Sequence, residues 1–483
     1  MSAVRTLAIG GTSLRANTTV LIKNGIVVDS SGQRPVDILI EGETIFALVE
    51  PGKAADLEDT KNVLVIDAEG HYVLPGGVDP HCHVNFKSGP YTSLDNHVEA
   101  TRAAVLGGTT TIVDFSVPAP DETPLMAVHR QLKLIPGSLC DVALHGCVVQ
   151  WDETTAEQLH EISELGISTI KMYTTYRGET MANEDTILAV MRHLADHGGM
   201  VVIHCEANHI IEENQRVSAH SKGLGAAHHH KTRSSLAELA AVSEVLAIAE
   251  TVDAPVYFVH QSTAEAVELV SAARRRGLNA FSEAVVHHLR LDDSLYLSEH
   301  PERYVCCPPL RSADEVKGLQ SKALSGEINT IASDHCCYDL KQKEENSSDV
   351  RNMPNGLPGV ETRLPVAFTL LVNELGMPMS RFVELTSTNP AKLNGLYPRK
   401  GCLLPGSDAD IVLWDPRIKR RISHVDLHMA TDYTPFEDIE TTGWPVTVLV
   451  RGQLIVHNGE LIDGQANGHF AKSSSLSNLE SIR

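Results

Sequence analysis

The chain has 483 residues, 42% hydrophobic and 21% charged, with a formal net charge of -22. That length buries a large core, and the acidic surplus argues against a nucleic-acid partner or an anionic membrane surface. No run approaches the ~20 apolar residues of a membrane-spanning helix. None of the nine cysteines stands in Cys-x-x-Cys spacing, which points to reduced thiols in the cytoplasm rather than a disulfide frame.

The first 17 residues carry Arg5 and Arg15 and no acid, a weak transit-like pattern without the apolar core of a secretion signal. Residues 19–74 then read as short strands. The runs 19–23, 25–28, 36–41 and 63–67 are separated by turn residues such as Asn24-Gly25 and Ser30-Ser31-Gly32. Nothing in them has obvious catalytic character.

The texture changes at residue 75. Short β-branched runs alternate with helix-like stretches up to about residue 400, the pattern of βα units around a parallel sheet. Eight strands are expected: 78–83, 110–116, 141–149, 168–174, 200–206, 255–262, 279–285 and 329–335. Eight units predict an α/β fold of the (β/α)8 TIM-like barrel type. A doubly wound open sheet is the alternative, but no Gly-x-Gly-x-x-Gly follows any strand. Strand runs return at 409–414, 446–450 and 453–456, with Asn458-Gly459 as a hairpin turn. Residues 401–465 are therefore expected to join residues 1–74 in one small β-sandwich domain built from both chain ends. Residues 466–483 are Ser- and Asn-rich and read as a flexible tail.

The candidate site residues sit near the C-terminal ends of the barrel strands. His81 and His83 close strand one, and alternation along a strand points both the same way. Lys171 lies in strand four; His204, His260 and Asp334 close strands five, six and eight. In a barrel those ends converge on one mouth. Four histidines and an aspartate exceed the needs of one four-coordinate ion, so a metal pair fits better. An apolar strand favours the neutral amine of Lys171. A neutral amine can add CO2 to give a carbamate that bridges two metals. From spacing alone, a lysine paired with a buried acid is the plainer alternative.

The array resembles the amidohydrolase superfamily, and more closely the hydantoinase/dihydropyrimidinase family. The matching stretches are residues 75–83 (Pro-Gly-Gly-Val-Asp-Pro-His-Cys-His), residues 107–115, Lys171-Met172-Tyr173-Thr174-Thr175-Tyr176 and Cys307-Pro308-Pro309-Leu310-Arg311. Ser333-Asp334-His335-Cys336, residues 355–361 and residues 432–437 match as well. The likeness spans roughly residues 19–465.

The resemblance implies two Zn2+ per subunit bridged by N6-carboxylated Lys171, with other divalent metals possible. One ion would be held by His81, His83, Lys171 and Asp334, the other by Lys171, His204 and His260. It also implies that Tyr176 donates to the substrate carbonyl and that Asp334 shuttles the proton. Cys307 and Asn355 would hold the ring amide through main-chain groups. The implied activity is hydrolytic opening of cyclic ureides, dihydropyrimidines or hydantoins, to N-carbamoyl amino acids by a cytoplasmic homotetramer.

Two departures bear on the substrate. Cys307 stands where the family usually has Ser, and Ala207-Asn208-His209 replaces the usual Glu-Asn-Gly. Alternatives on the same metals are an allantoinase or a dihydroorotase; a metal-free dihydropyrimidinase-like scaffold is a third. A dihydroorotase would want an Arg soon after His-x-His, but Val84-Asn85-Phe86-Lys87 follows. Phe86, Tyr91 and Tyr173 either line an apolar pocket for the ring substituent or serve as packing; their residue types fit both readings equally.

Overall fold

The computed structural model describes residues 19–482, apart from 59, 61, 475, 477 and 478. The transit-like stretch lies outside the described residues.

Eight parallel strands pair in chain order: Gly77–Cys82, Thr109–Phe115, Asp141–Cys147, Thr169–Tyr173, Met200–His204, Val256–Phe258, Ala280–Val285 and Thr330–Ala332. Their residues are buried along the whole length. That matches sequence runs apolar on both faces, as parallel sheets require. A bridge between Cys82 and His335 brings strand eight back to strand one, and the His83 N–H donates to the His335 carbonyl at 2.7 Å. The sheet is thus a nearly closed TIM-like barrel.

Three of the outer helices start and stop where the sequence provides caps. Asn183, Thr263 and Ser312 accept from backbone N–H groups at the starts of Glu184–His197, Ala264–Arg276 and Ala313–Ser325. Gly198, Gly277 and Gly326 end the same helices in the left-handed conformation, where a Cβ would be strained.

Strands six and eight are much shorter than their sequence runs. His83, His260 and Asp334 lie just past the hydrogen-bonded strands, and the last two take positive φ of 37° and 49°. At the mouth the backbone turns out of the ladder, so these side chains project from strand–loop junctions.

Both chain ends build a second body of two sheets. One orders Thr44–Val49, Asp37–Glu41, Thr19–Lys23 and Val63–Asp67. In the other, Tyr72–Pro75 pairs with Ile26–Asp29 on one side and Ile411–Arg421 on the other. Val20, Ile38, Val73, Ile411 and Leu449 share one buried core between them. Buried Lys400 joins this body to the barrel: its ammonium meets Asp141, Asp408 and Asp410 at 2.5–2.9 Å.

The expected flexible tail is corrected. Phe470 bridges to Val142, the Ser473 N–H donates to Gly166, and Ala471 is buried. Leu479 and Ile482 pack with Met200, Val202 and Tyr257 inside the barrel. Sparse apolar residues in a Ser-rich stretch are enough to seat it once the barrel offers a surface.

Candidate active site

Strand one carries His81 and His83 to the mouth, where their Nε2 atoms lie 3.2 Å apart. Asp334 Oδ1 meets both, at 3.0 Å from His81 and 3.4 Å from His83. Asp334 is held there by its neighbours. The Ser333 N–H donates to Asp79 of strand one, and the Ser333 hydroxyl donates to the His81 carbonyl. Across the mouth, His204 Nδ1 lies 2.9 Å from His260 Nε2.

Lys171 points into the same space, fully buried. Its Nζ lies 4.6 Å from the Phe115 ring centre and 4.9 Å from that of Tyr173. No hydrogen-bond partner meets it among the described residues. The alternative of a lysine paired with a buried acid therefore does not describe it. Burial pulls its amine down to about 8, against the pull of Asp334 and Glu283. Near neutral pH a minority of the amine, roughly a fifth, is then uncharged, far more than on an exposed lysine.

Two buried carboxylates fix the imidazoles. His81 Nδ1 donates to Glu283 at 2.7 Å, and His204 Nε2 donates to Glu206 at 2.7 Å. Those bonds turn His81 Nε2 and His204 Nδ1 inward, the orientation metal-binding imidazoles use; burial opposes a second proton on His81, but Asp334 and Glu283 outweigh it and raise its pKa. Burial holds His83 down to about 4, so it stays neutral. Burial also opposes ionisation of Asp334, but His81 and His83 outweigh it and keep the carboxylate charged. Converging ring nitrogens, one anion and one unpartnered amine fit a pair of divalent metals.

The pocket above this floor is walled by Tyr176, Cys307, Asn355 and Gly356. Tyr176 has φ 69°, and the Arg233 guanidinium lies 5.0 Å from its ring centre. Cys307 is buried, with its sulfur 3.9 Å from His229 Nε2; the Cys307–Pro308 peptide is cis. Among the described residues, no protein group hydrogen-bonds the main-chain N–H or C=O of Cys307 or Asn355. Phe86 and Tyr173 line the pocket, together with the polar Lys87, Ser88, Glu179 and Thr180. Tyr91 instead packs on Cys336 and Tyr338, and its hydroxyl accepts from Asn346.

Sequence reasoning missed Glu206, Glu283 and Arg233. Glu206 had a usable signal: it stands two residues after His204, the spacing that returns to the same side of a strand. Glu283 is a lone acid in an apolar strand run. Arg233, which pairs with Glu206, had no signal in its neighbours.

The model of the amidohydrolase family matches residues 72–455. A D-hydantoinase from Ralstonia pickettii is 35% identical over 459 residues, covering 94% of this chain and 98% of that one. A D-phenylhydantoinase from Escherichia coli O81 is 35% identical over 461 residues, with the same coverage. The crystal structure of dihydropyrimidinase from Brevibacillus agri superposes with TM-score 0.91 at 33% identity, covering 95% of this chain and 99% of that one.

Proposed function

The chain belongs to the amidohydrolase family, and from that premise we propose that it hydrolyses cyclic ureides, dihydropyrimidines or hydantoins, to N-carbamoyl amino acids. The observation that carries the metal part of this reading is Lys171: a buried amine without a partner, set between two pairs of imidazoles. As a carbamate it would supply the negative charge and the oxygen ligands that two cations need. His81, His83, Asp334 and Lys171 would hold one ion; His204, His260 and Lys171 the other. Zinc is the proposed metal, in keeping with the nitrogen-rich ligand set; other divalent metals fit the same ligands.

When bound, such a pair supplies Lewis acidity and makes water acidic enough to react near neutral pH. The protein's own groups do the rest. Asp334 takes a proton from the attacking water and hands it to the leaving ring nitrogen. Tyr176 donates to the carbonyl oxygen as it gains charge, a contact worth ~3 kcal/mol. Burial raises the Tyr176 hydroxyl well above its usual range, so it remains a donor at neutral pH. The main-chain groups of Cys307 and Asn355 orient the ring amide. Nine buried, unpaired cysteines support assignment to the reducing cytoplasm. A homotetramer is proposed from the family likeness, and sedimentation velocity tests it.

The deciding experiment is a panel of dihydrouracil, hydantoin, phenylhydantoin, allantoin and dihydroorotate, with metal content measured in the same sample. Turnover of the first three with at least two zinc ions per chain, by the two-metal argument, supports the reading. Turnover of allantoin or dihydroorotate alone, or full activity without metal, overturns it.

A further inference from the structure

Outside this centre, three groups of potential metal ligands lie close together among the described residues. Two of them are accounted for without an ion. In the Asp95–His335–Cys337 group, His335 Nε2 donates to Asp95 at 2.5 Å and its Nδ1 accepts from the Gly359 N–H. The His300–Glu302–Glu344 group is partly exposed, and His300 already bonds Glu302.

The third group is different. His287 and His288 begin the short helix Val286–Arg290 that leaves strand seven, and Cys306 comes to them from the segment entering the pocket. One ring nitrogen of each histidine and the Cys306 sulfur lie within 4.8 Å of one another. All three residues are buried, at 2%, 2% and 1% exposure. His288 Nε2 donates to the Pro308 carbonyl, which makes Nδ1 its lone-pair nitrogen. That Nδ1 and His287 Nε2 have no hydrogen-bond partner among the described residues. Buried polar atoms are rarely left unpaired, because each such group costs about 1–3 kcal/mol. The Cys306 thiol donates to the same Pro308 carbonyl at 3.3 Å, a weak bond that a metal–thiolate bond would replace; the two unpaired nitrogens need an explanation.

We propose that His287, His288 and Cys306 form a separate site for one thiophilic divalent cation, zinc by preference. Two imidazoles and one thiolate are a zinc ligand set, with a fourth position open to water. A tetrahedral ion with bonds of about 2.0–2.3 Å draws its ligand atoms to roughly 3.5 Å apart, within reach of small side-chain rotations. Binding replaces the Cys306 S–H proton, which leaves to solvent, and forms the metal–thiolate bond. The ion would tie the end of strand seven to the segment that presents Cys307 to the pocket.

Cobalt titration of the metal-stripped full-length protein tests this, because the catalytic centre contains no thiolate. The expected result is a near-ultraviolet thiolate-to-cobalt band that disappears in Cys306→Ser and weakens in His288→Gln. Zinc retained after desalting should fall by about one ion per chain in Cys306→Ser, while the pair at the catalytic centre stays. A thermal melt confirms that each variant is folded. No thiolate band at saturating cobalt, or a band that survives in Cys306→Ser, overturns the proposal. The band reads Cys306 alone, so it stands or falls independently of metal binding at Lys171.

Discussion

Glu283 Oε1 accepts from His81 Nδ1 at 2.7 Å, and the same oxygen accepts from the backbone N–H of His260 at 3.0 Å. Tyr257 donates to its other oxygen. One buried carboxylate thus orients a ring on one side of the centre and the backbone of a second ring on the other. Glu283→Gln keeps the shape and removes the charge. Metal affinity, read by chelator competition, should fall ~10–100-fold. Unchanged affinity would make Glu283 a packing residue only.

Lys171→Ala removes the proposed bridge. At least one of the two metals should be lost, together with turnover. Short carboxylic acids added to this variant should restore part of the rate by standing in for the carbamate. Full metal content and a normal rate in Lys171→Ala would leave Lys171 without a ligand role.

Asp334→Asn should nearly abolish turnover, since an amide cannot carry the proton. Tyr176→Phe should lower kcat by ~10²–10³ if its hydroxyl acts on the transition state. Steady-state kinetics separate the two roles: a change confined to KM in Tyr176→Phe would assign it to ground-state binding.

Cys307→Ser should change kcat/KM by less than about tenfold, or ~1.4 kcal/mol. The contact assigned to residue 307 is made by its main chain, so the weak hydrogen bonding of a thiol matters little. A serine variant hundreds-fold more active would show that the side chain meets the substrate.

Lys400 is the cation among Asp141, Asp408 and Asp410. Burial opposes its charge, but the aspartates outweigh burial and raise its pKa above the usual lysine value. The stabilisation is therefore fully present below the unfolded value near 10.5 and is lost only at higher pH. Lys400→Ala leaves buried carboxylates uncompensated and should destabilise the fold by ~3–5 kcal/mol. Denaturant melts check this; a loss under ~1 kcal/mol would place the cluster among the weak, solvent-screened pairs.

Strand-to-strand periodicity is local, and so the barrel and the pairing of His81 with His83 were legible in the sequence. Side-chain alternation puts residues 81 and 83 on one side whatever surrounds them. The repeat of strand and helix likewise carried Lys171, His204, His260 and Asp334 to one mouth, because parallel βα units share one direction. What packs around those residues is not local. Glu283 lies 202 residues from the His81 ring it orients, and Arg233 27 residues from Glu206. The positive φ of His260 and Asp334 arises where closing strands turn out of the ladder. Leu479 and Ile482 look like tail residues until the barrel interior gives them a surface. The amino-acid order determined which groups reach the mouth. Only the closed tertiary structure decided which tautomers they hold and which amine is left unpartnered, because buried polar groups are satisfied by neighbours in space rather than in sequence.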